Sequence, residues 1–568
     1  MFAYAHRRYT PARGTDGWIE SFQDYSDLVG FATVQYDSAD MNSATISVTA
    51  TQRGNGTLSY IFNGKEQSSN EIKVTSKDNG LTITIKSDEG FIVDLEPIDF
   101  AWTAPKITEQ HSTGDYRNGQ KGAVVEMFGW PHKDVEKECA FLAEAGYMGV
   151  KIFPAMEQVM SPEPFDSIFN PWYFMYQPVS YKMSGRMGTR KELKSMIDAC
   201  RSLGVRVYAD AVINHMTGGG NDANPKHRNP DAGCTEWGSK TSSAGDDNYS
   251  PMYTQDYVYS SSNVTGKPPS QEFPAAAYGP LDFHCEQPLS SWSDPENLNA
   301  GWLSGLVDLN TERDYVQERI AAYMSDLIGL GFSGFRVDAA KHVQPDDLVS
   351  IFSKFKRNMG GSLPEDFISW LEVLLGGESD MLMCDPDSGY NYGSYFEDAL
   401  LDAGFSKEDV DKIKIWNSGY PKEPDAGACT ISKVRNAIQN DDHDQQTPGS
   451  SSRDMGDDGC VLIKDCDDIT QHRDFEVKLF ESPNGAKDND NEYPIRLILS
   501  SFWWVDEVQG IPDGKSDCKL CTLNCDGCQG MTYAPAYDEK SKGYDQVDYT
   551  RPHRDADIIE AMQKWMGI

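Results

Sequence analysis

Beyond about residue 120 the chain repeats one pattern: a short run of consecutive apolar residues, then a stretch with the apolar spacing of an amphipathic helix. GAVVEMFGW precedes DVEKECAFLAEAG, YMGVKIFPA follows, and RKELKSMIDACRSLG leads into VRVYADAVINH. GFSGFRVDAA, EDFISWLEV, a weak piece near GSYFEDAL, VRNAIQNDDHD and PIRLILSSFWW continue the series, before a closing helical segment, DADIIEAMQKWM. Strands that alternate with helices pair in parallel, since each helix carries the chain back to the same end of the sheet. Eight such units predict a closed (β/α)8 TIM barrel of the α/β class.

Two regions depart from this rhythm. From about residue 18 to 105 the pieces ATISVTA, TLSYIFNG, EIKVTSK, LTITIKS and FIVDLEP alternate with the two-residue period of strands, separated by turn signals such as RGNGT, KDNG and SDEG. They predict a small all-β domain, two antiparallel sheets packed as a sandwich. Between His215 and about Asn299 runs a Gly/Ser/Asn/Pro-rich excursion, too long for an ordinary loop and too aromatic to be disordered. The expected organisation is an all-β accessory domain over 1–105 and a catalytic barrel over 106–568, with a subdomain inserted after the third strand at about 216–299.

A formal net charge of −37 disfavours nucleic acid and anionic membrane as partners and suits a neutral substrate. The acids are spread along a chain with 11% aromatics, so the charge belongs to a globular protein, expected to be monomeric. No run is apolar enough to span a membrane, and the N-terminus lacks a signal peptide's apolar core. Twelve cysteines and the sequons at Asn55, Asn248 and Asn263 favour an oxidising compartment, extracellular or endomembrane lumen.

If the barrel forms, catalytic groups belong at the C-terminal ends of its strands. Four ends carry carboxylates: Asp210 in DAVINH, with Asn214 and His215; Asp338 in GFRVDAAKH, with Arg336, Lys341 and His342; Glu372; and the pair His443 and Asp444. Alternation puts Arg336 and Asp338 on one face, where the guanidinium is expected to hold the aspartate ionised. Two carboxyls about 5 to 5.5 Å apart can cleave a glycosidic bond with retention, one attacking and one protonating the leaving oxygen, and adjacent strands four and five can supply them.

These four segments, in this order, resemble the signature regions of the α-amylase family of glycoside hydrolases. The stretch Trp172 to Tyr181, with Trp172, Tyr173, Tyr176 and Gln177 as sugar-subsite residues, resembles its animal-type branch. The resemblance covers roughly residues 120 to 568 and implies endo-hydrolysis of α-1,4 bonds in starch or glycogen, the EC 3.2.1.1 class. It implies Asp338 as nucleophile, Glu372 as general acid/base and Asp444 as the carboxylate that orients substrate, with Asp210, His215, Arg336, Lys341, His342 and His443 at the substrate and His215 and His443 donating to sugar hydroxyls. Calcium is implied at Asn214, Asp308, the carbonyl of His342 and the carbonyl near Asn299, all hard oxygen donors. A bridge between Cys139 and Cys200 is implied too.

Several features depart from the family. WLEVLLGGE is one residue out of step with its strand-five pattern when counted back from Gly376 and Gly377. The usual C-terminal β-domain is missing, so either the chain is truncated or the N-terminal domain is the only accessory one. Cys518, Cys521, Cys525 and Cys528 are spaced for local disulfides or for zinc. Glucanosyl transfer and a non-catalytic glucan scaffold are the competing functions, and the N-terminal domain is either starch-binding or a structural spacer. Where animal-type relatives place an Asn at an activating chloride, this chain has Asp442, which would repel chloride and could pair with Arg336 in its stead. Chloride is therefore not required, and dialysed enzyme should gain no activity from added chloride salts; a several-fold, chloride-specific activation would refute this.

Overall fold

The apolar runs lie side by side in chain order as β1 (Gly122–Met127), β2 (Gly149–Ile152), β3 (Arg206–Val212), β4 (Phe335–Asp338), β5 (Ser369–Glu372), β6 (Ile413–Trp416), β7 (Asn436–Gln439) and β8 (Ile495–Ser500). The structure is a computed structural model that describes residues 22–24, 28–52, 54–103, 119–159, 172–218, 251–253, 258–260, 273–279, 282–284, 287–374, 392–416, 431–444, 455, 459–462, 466–481, 494–500, 543 and 550–568. Every strand pairs in parallel with the next, and β8 pairs with β1 from Ile495↔Gly122 to Ser500↔Met127, which closes the barrel. Because helices cover the outside and side chains fill the inside, strand residues are buried in both directions, which is why the runs are apolar without alternation.

One strand lies elsewhere than the sequence reading put it. GSYFEDAL belongs to the helix Ser394–Asp402, which buries Phe396 and Leu400 at i, i+4 spacing; β6 is the following IKIW segment. A four-residue strand carries too little period to outweigh a neighbouring helical stripe.

Local signals set the helix limits. Arg190–Ser202 opens on a capping box, in which the Thr189 side chain accepts from Glu192 N and the Glu192 carboxylate accepts from Thr189 N. His132–Ala145 stops at Gly146, in the left-handed conformation at φ 94°. The expected Cys139–Cys200 disulfide joins these two helices. Just before β4, Gly334 has φ 143°, and a Cβ there would lie 1.7 Å from Ile368 O. Only glycine lets β4 approach β5 so closely, and this approach sets Arg336 and Asp338 beside Glu372.

Ahead of the barrel stand two antiparallel sheets. One contains Leu28–Tyr36, Ser43–Gln52 and Glu71–Thr75; the other Lys65–Gln67, Leu58–Phe62, Ile83–Ser87 and Ile92–Asp94. Alternate residues such as Ala44, Ile46, Val48, Ile83 and Ile85 point into a shared core. These sheets are fixed to the barrel: Arg190 binds Glu96 and Asp99 of the β region and Asp326 of the helix Asp314–Leu330, at 3.1, 3.0 and 2.7 Å. A further strand, Phe22–Asp24, pairs with Val258–Ser260 of the inserted segment. That segment leaves and re-enters the barrel across a short antiparallel ladder, His215–Met216 against Val307–Asp308.

Asn55 is exposed in a turn of the β region. Asn248, Asn263 and the four cysteines from Cys518 to Cys528 lie outside the described residues. Among the described residues no helix is long and apolar enough to cross a membrane.

Candidate active site

Parallel pairing carries every strand's C-terminal residues to one end of the barrel, and in register this stacks ionisable side chains next to one another. Lys151 of β2 faces Glu126 of β1, and Asp210 of β3 faces Arg336 of β4. The result is a buried ladder of alternating sign. Lys151 Nζ lies 2.8 Å from Glu126 Oε1 and 2.6 Å from Asp210 Oδ2, and Arg336 Nη1 lies 2.7 Å from Asp210 Oδ1 and 2.8 Å from Asp338 Oδ1. Arg336 Nη2 meets Glu372 Oε1 at 2.5 Å and reaches Asp444 Oδ2 at 3.7 Å. Ala339 N donates to Glu372 Oε2 at 2.7 Å.

Five carboxyls surround two cations here, so they cannot all ionise equally. Burial pushes Asp210 up, but Arg336 and Lys151 outweigh it and hold the carboxyl below its ordinary value; Glu126 is held down in the same way by Lys151 and His443. Asp338 and Glu372 go the other way. Burial raises both, Arg336 opposes, and neighbouring carboxylates add to the rise, so the pair retains a proton above the usual carboxylate range. The expectation that Arg336 simply keeps Asp338 ionised is corrected: one guanidinium shared among Asp210, Asp338 and Glu372 does not offset full burial at all three.

Above the ladder opens a cavity of about 480 Å³. Asp338, Glu372 and Asp444 form part of its wall, and Asp444, with a side chain 36% exposed, is the most open of the three. Trp172, Tyr173, Tyr176, Gln177, His215, Lys341 and His342 also line it, which brings most of the expected substrate residues together. Arg336 and His443 sit just behind the wall. Asp210 does not reach the cavity: it is fully buried, bound by Lys151, Arg336 and the Tyr176 hydroxyl at 2.8 Å, so it anchors the ladder where a sugar contact was expected.

One of the two histidines, His215, is used differently from expectation. His215 Nε2 donates to the Tyr176 carbonyl at 3.0 Å, and burial brings its pKa down to about 4, so at neutral pH it offers a sugar no N–H. His443 Nδ1 donates to Glu126 Oε1, while its ring stacks on Tyr176 at 5.2 Å. Its Nε2 lies 3.6 Å from Asp444 Oδ2 with no hydrogen-bond partner among the described residues. Asp442 does not pair with Arg336. It is buried, accepts from Asp444 N at 2.7 Å, and is raised well above the usual range by burial and by Asp444, Glu126 and Asp441.

Sequence reasoning missed Glu126 and Lys151, although each is a lone charge in an apolar strand run. It missed Trp292 as well, a residue of the inserted segment that is 46% exposed, with Lys341 Nζ 4.5 Å from its ring centre.

Of the expected cation ligands, Asn214 and Asp308 are in contact where the insertion rejoins the barrel. Asn214 Nδ2 donates to Asp308 Oδ1 at 3.2 Å, and His284 Nδ1 lies 2.7 Å from Asp308 Oδ2. Asn299 Nδ2 donates to Glu312 at 2.8 Å, leaving Asn299 Oδ1 buried with no hydrogen-bond partner among the described residues. His342 Nδ1 bonds Leu298 O at 3.2 Å. The Asn299 amide oxygen and the Asp308 carboxylate are hard oxygen donors of the kind calcium takes, but His284 occupies Asp308 Oδ2, and among the described residues no three or more His, Cys, Asp or Glu side chains group as a metal site.

The model of the α-amylase catalytic domain matches residues 141–359. Pancreatic α-amylase 2a5 of Mus musculus is 31% identical over 458 residues, 77% of this chain and 76% of the relative, and α-amylase 1B of Homo sapiens is 32% identical over 457 residues, 76% and 75% of the two chains. The solved α-amylase I from Eisenia fetida shares the fold, with a TM-score of 0.50 and 21% identity, over 78% of this chain and 77% of that one. The chain belongs to the α-amylase family, on its animal-type side, and is an α-amylase-type glycoside hydrolase.

Proposed function

We propose that the chain hydrolyses internal α-1,4 bonds of starch or glycogen with retention of anomeric configuration. The observation that carries this reading is the placing of Asp338 and Glu372 on the two nitrogens of one guanidinium, with burial raising both carboxyls. A retaining mechanism needs the two carboxyls about 5 to 5.5 Å apart, where an inverting pair stands about 6.5 to 9.5 Å apart to admit a water.

Asp338 attacks the anomeric carbon while Glu372 gives its proton to the departing glycosidic oxygen. A water then attacks the glycosyl ester, Glu372 takes back a proton, and Asp338 is released. In the free site Glu372 Oε2 accepts from Ala339 N, while Oε1 is ion-paired with Arg336. Asp444, more open than the other two, is placed to orient hydroxyls and to sustain positive charge at the sugar. Trp172, Tyr173 and Trp292 offer ring faces for sugar stacking, and Lys341 offers a charge.

Calcium would be held by Asn214, Asp308, Asn299 and the His342 carbonyl, and would supply a cross-link between the barrel and its insertion. Secretion or a lumenal site is supported by the Cys139–Cys200 and Cys460–Cys466 disulfides.

Asp338→Asn should lower kcat by at least about a thousandfold. A fluorinated glucosyl fluoride should leave one sugar on the Asp338 peptide by mass spectrometry; labelling elsewhere, or inverted product by NMR, contradicts the mechanism. Because the Asp444 charge raises Glu372, Asp444→Asn lets Glu372 lose its proton sooner, and the alkaline limb of residual kcat/KM should move to lower pH; an unmoved limb removes Asp444 from this role. Chelation should lower Tm, and calcium should restore it in the wild type but not in Asp308→Asn. An equal response in both places the ion elsewhere.

A further inference from the structure

The turn that leaves β7 carries His443 and Asp444, and its first two residues are buried polar side chains facing away from the cavity. Asn440 Oδ1 accepts from Cys460 N at 3.0 Å, and Asn440 Nδ2 donates to Glu476 Oε1 at 3.0 Å. Asp441 Oδ2 accepts from Leu462 N at 3.0 Å and from His472 Nε2 at 3.2 Å. His472 and Glu476 lie one turn apart on the helix Ile469–Glu481. The loop that supplies the two backbone donors is closed on itself: Cys460 and Cys466 form a disulfide, and Cys466 N donates to Val461 O at 3.2 Å.

We propose that the loop closed by Cys460–Cys466, with His472 and Glu476 behind it, is a positioning clamp that sets the β7 turn and thereby aims Asp444 at the substrate. This rests on the reading of Asp444 given above. Asn440 and Asp441 are buried, and an amide or carboxylate buried with too few partners is costly, so the loop's two N–H groups, together with His472 and Glu476, hold the turn in this conformation. From there the constraint passes directly to the site, since Asp442 Oδ1 holds Asp444 N and His443 is held by Glu126. Opening the disulfide frees the loop to carry Cys460 N and Leu462 N away, and the turn loses two of its fixed points. None of these residues touches the cavity, so they act through Asp444 and not on the sugar.

The two described disulfides allow the positioning role to be separated from plain stabilisation. Cys139 and Cys200 are 61 residues apart and Cys460 and Cys466 only 6, so the first constrains the unfolded chain far more than the second. Cys139→Ser/Cys200→Ser should therefore show the larger fall in Tm with little change in kcat below its transition. Cys460→Ser/Cys466→Ser should show the smaller fall in Tm with kcat on a maltooligosaccharide lowered about tenfold or more and KM moved much less. His472→Gln keeps an N–H for Asp441 and should retain kcat where His472→Leu loses it, which decides the matter even if the cysteine variant does not fold. A folded Cys460→Ser/Cys466→Ser enzyme with wild-type kcat, or equal kcat in the two His472 variants, overturns the clamp. If Asp444→Asn itself leaves kcat unchanged, the reading of Asp444 fails instead.

Discussion

The mouth of this barrel depends on two buried cations. Lys151 and Arg336 stand between carboxylates contributed by β1, β3, β4 and β5, and each bonds more than one of them. Removing either would leave anions stranded in a region with little solvent to stabilise them, a far larger cost than losing a surface pair. The same arrangement divides the carboxyls by task. Asp210, held between both cations, and Glu126, held by Lys151, are kept below the usual carboxylate range and serve as struts; Asp338 and Glu372, sharing only Arg336, are raised above it and face the cavity. One ladder thus supports both the architecture and the acid–base chemistry proposed for it.

How far the sequence revealed this depended on the range of the interaction concerned. The barrel was legible because strand and helix periods are local, and the strand-end carboxylates were legible because strand order fixes which end they occupy. The sixth strand was not, since IKIW is too short to compete with the helical stripe before it. Asp210 looked like a sugar ligand because its position in DAVINH says which strand end it is on, but not whether Lys151 and Tyr176 from other strands and loops have already claimed it. The partner of Asp442 was obscure for the same reason: sequence places it near Arg336, and only the turn's own geometry directs its oxygen to Asp444 N.

The inserted segment and the leading β region are tied together as well as to the barrel. The barrel ladder at His215–Met216, the strand pair at Val258–Ser260 and the Arg190 cluster hold three parts of the chain in one frame. Trp292 extends from that frame over the cavity, so one wall of the cleft is set by contacts well outside the barrel.

The closure of β8 on β1 has a consequence for biosynthesis. Glu126 belongs to the first strand, yet the sheet around it is complete only when Ile495–Ser500 has been made. Until then a nascent chain carries a Lys151–Glu126 pair at an open sheet edge, wet and weakly held. The charge ladder is therefore enclosed only when β8 closes the barrel, and a ribosome-bound fragment ending before β8 would hold every carboxylate of the site without that closure.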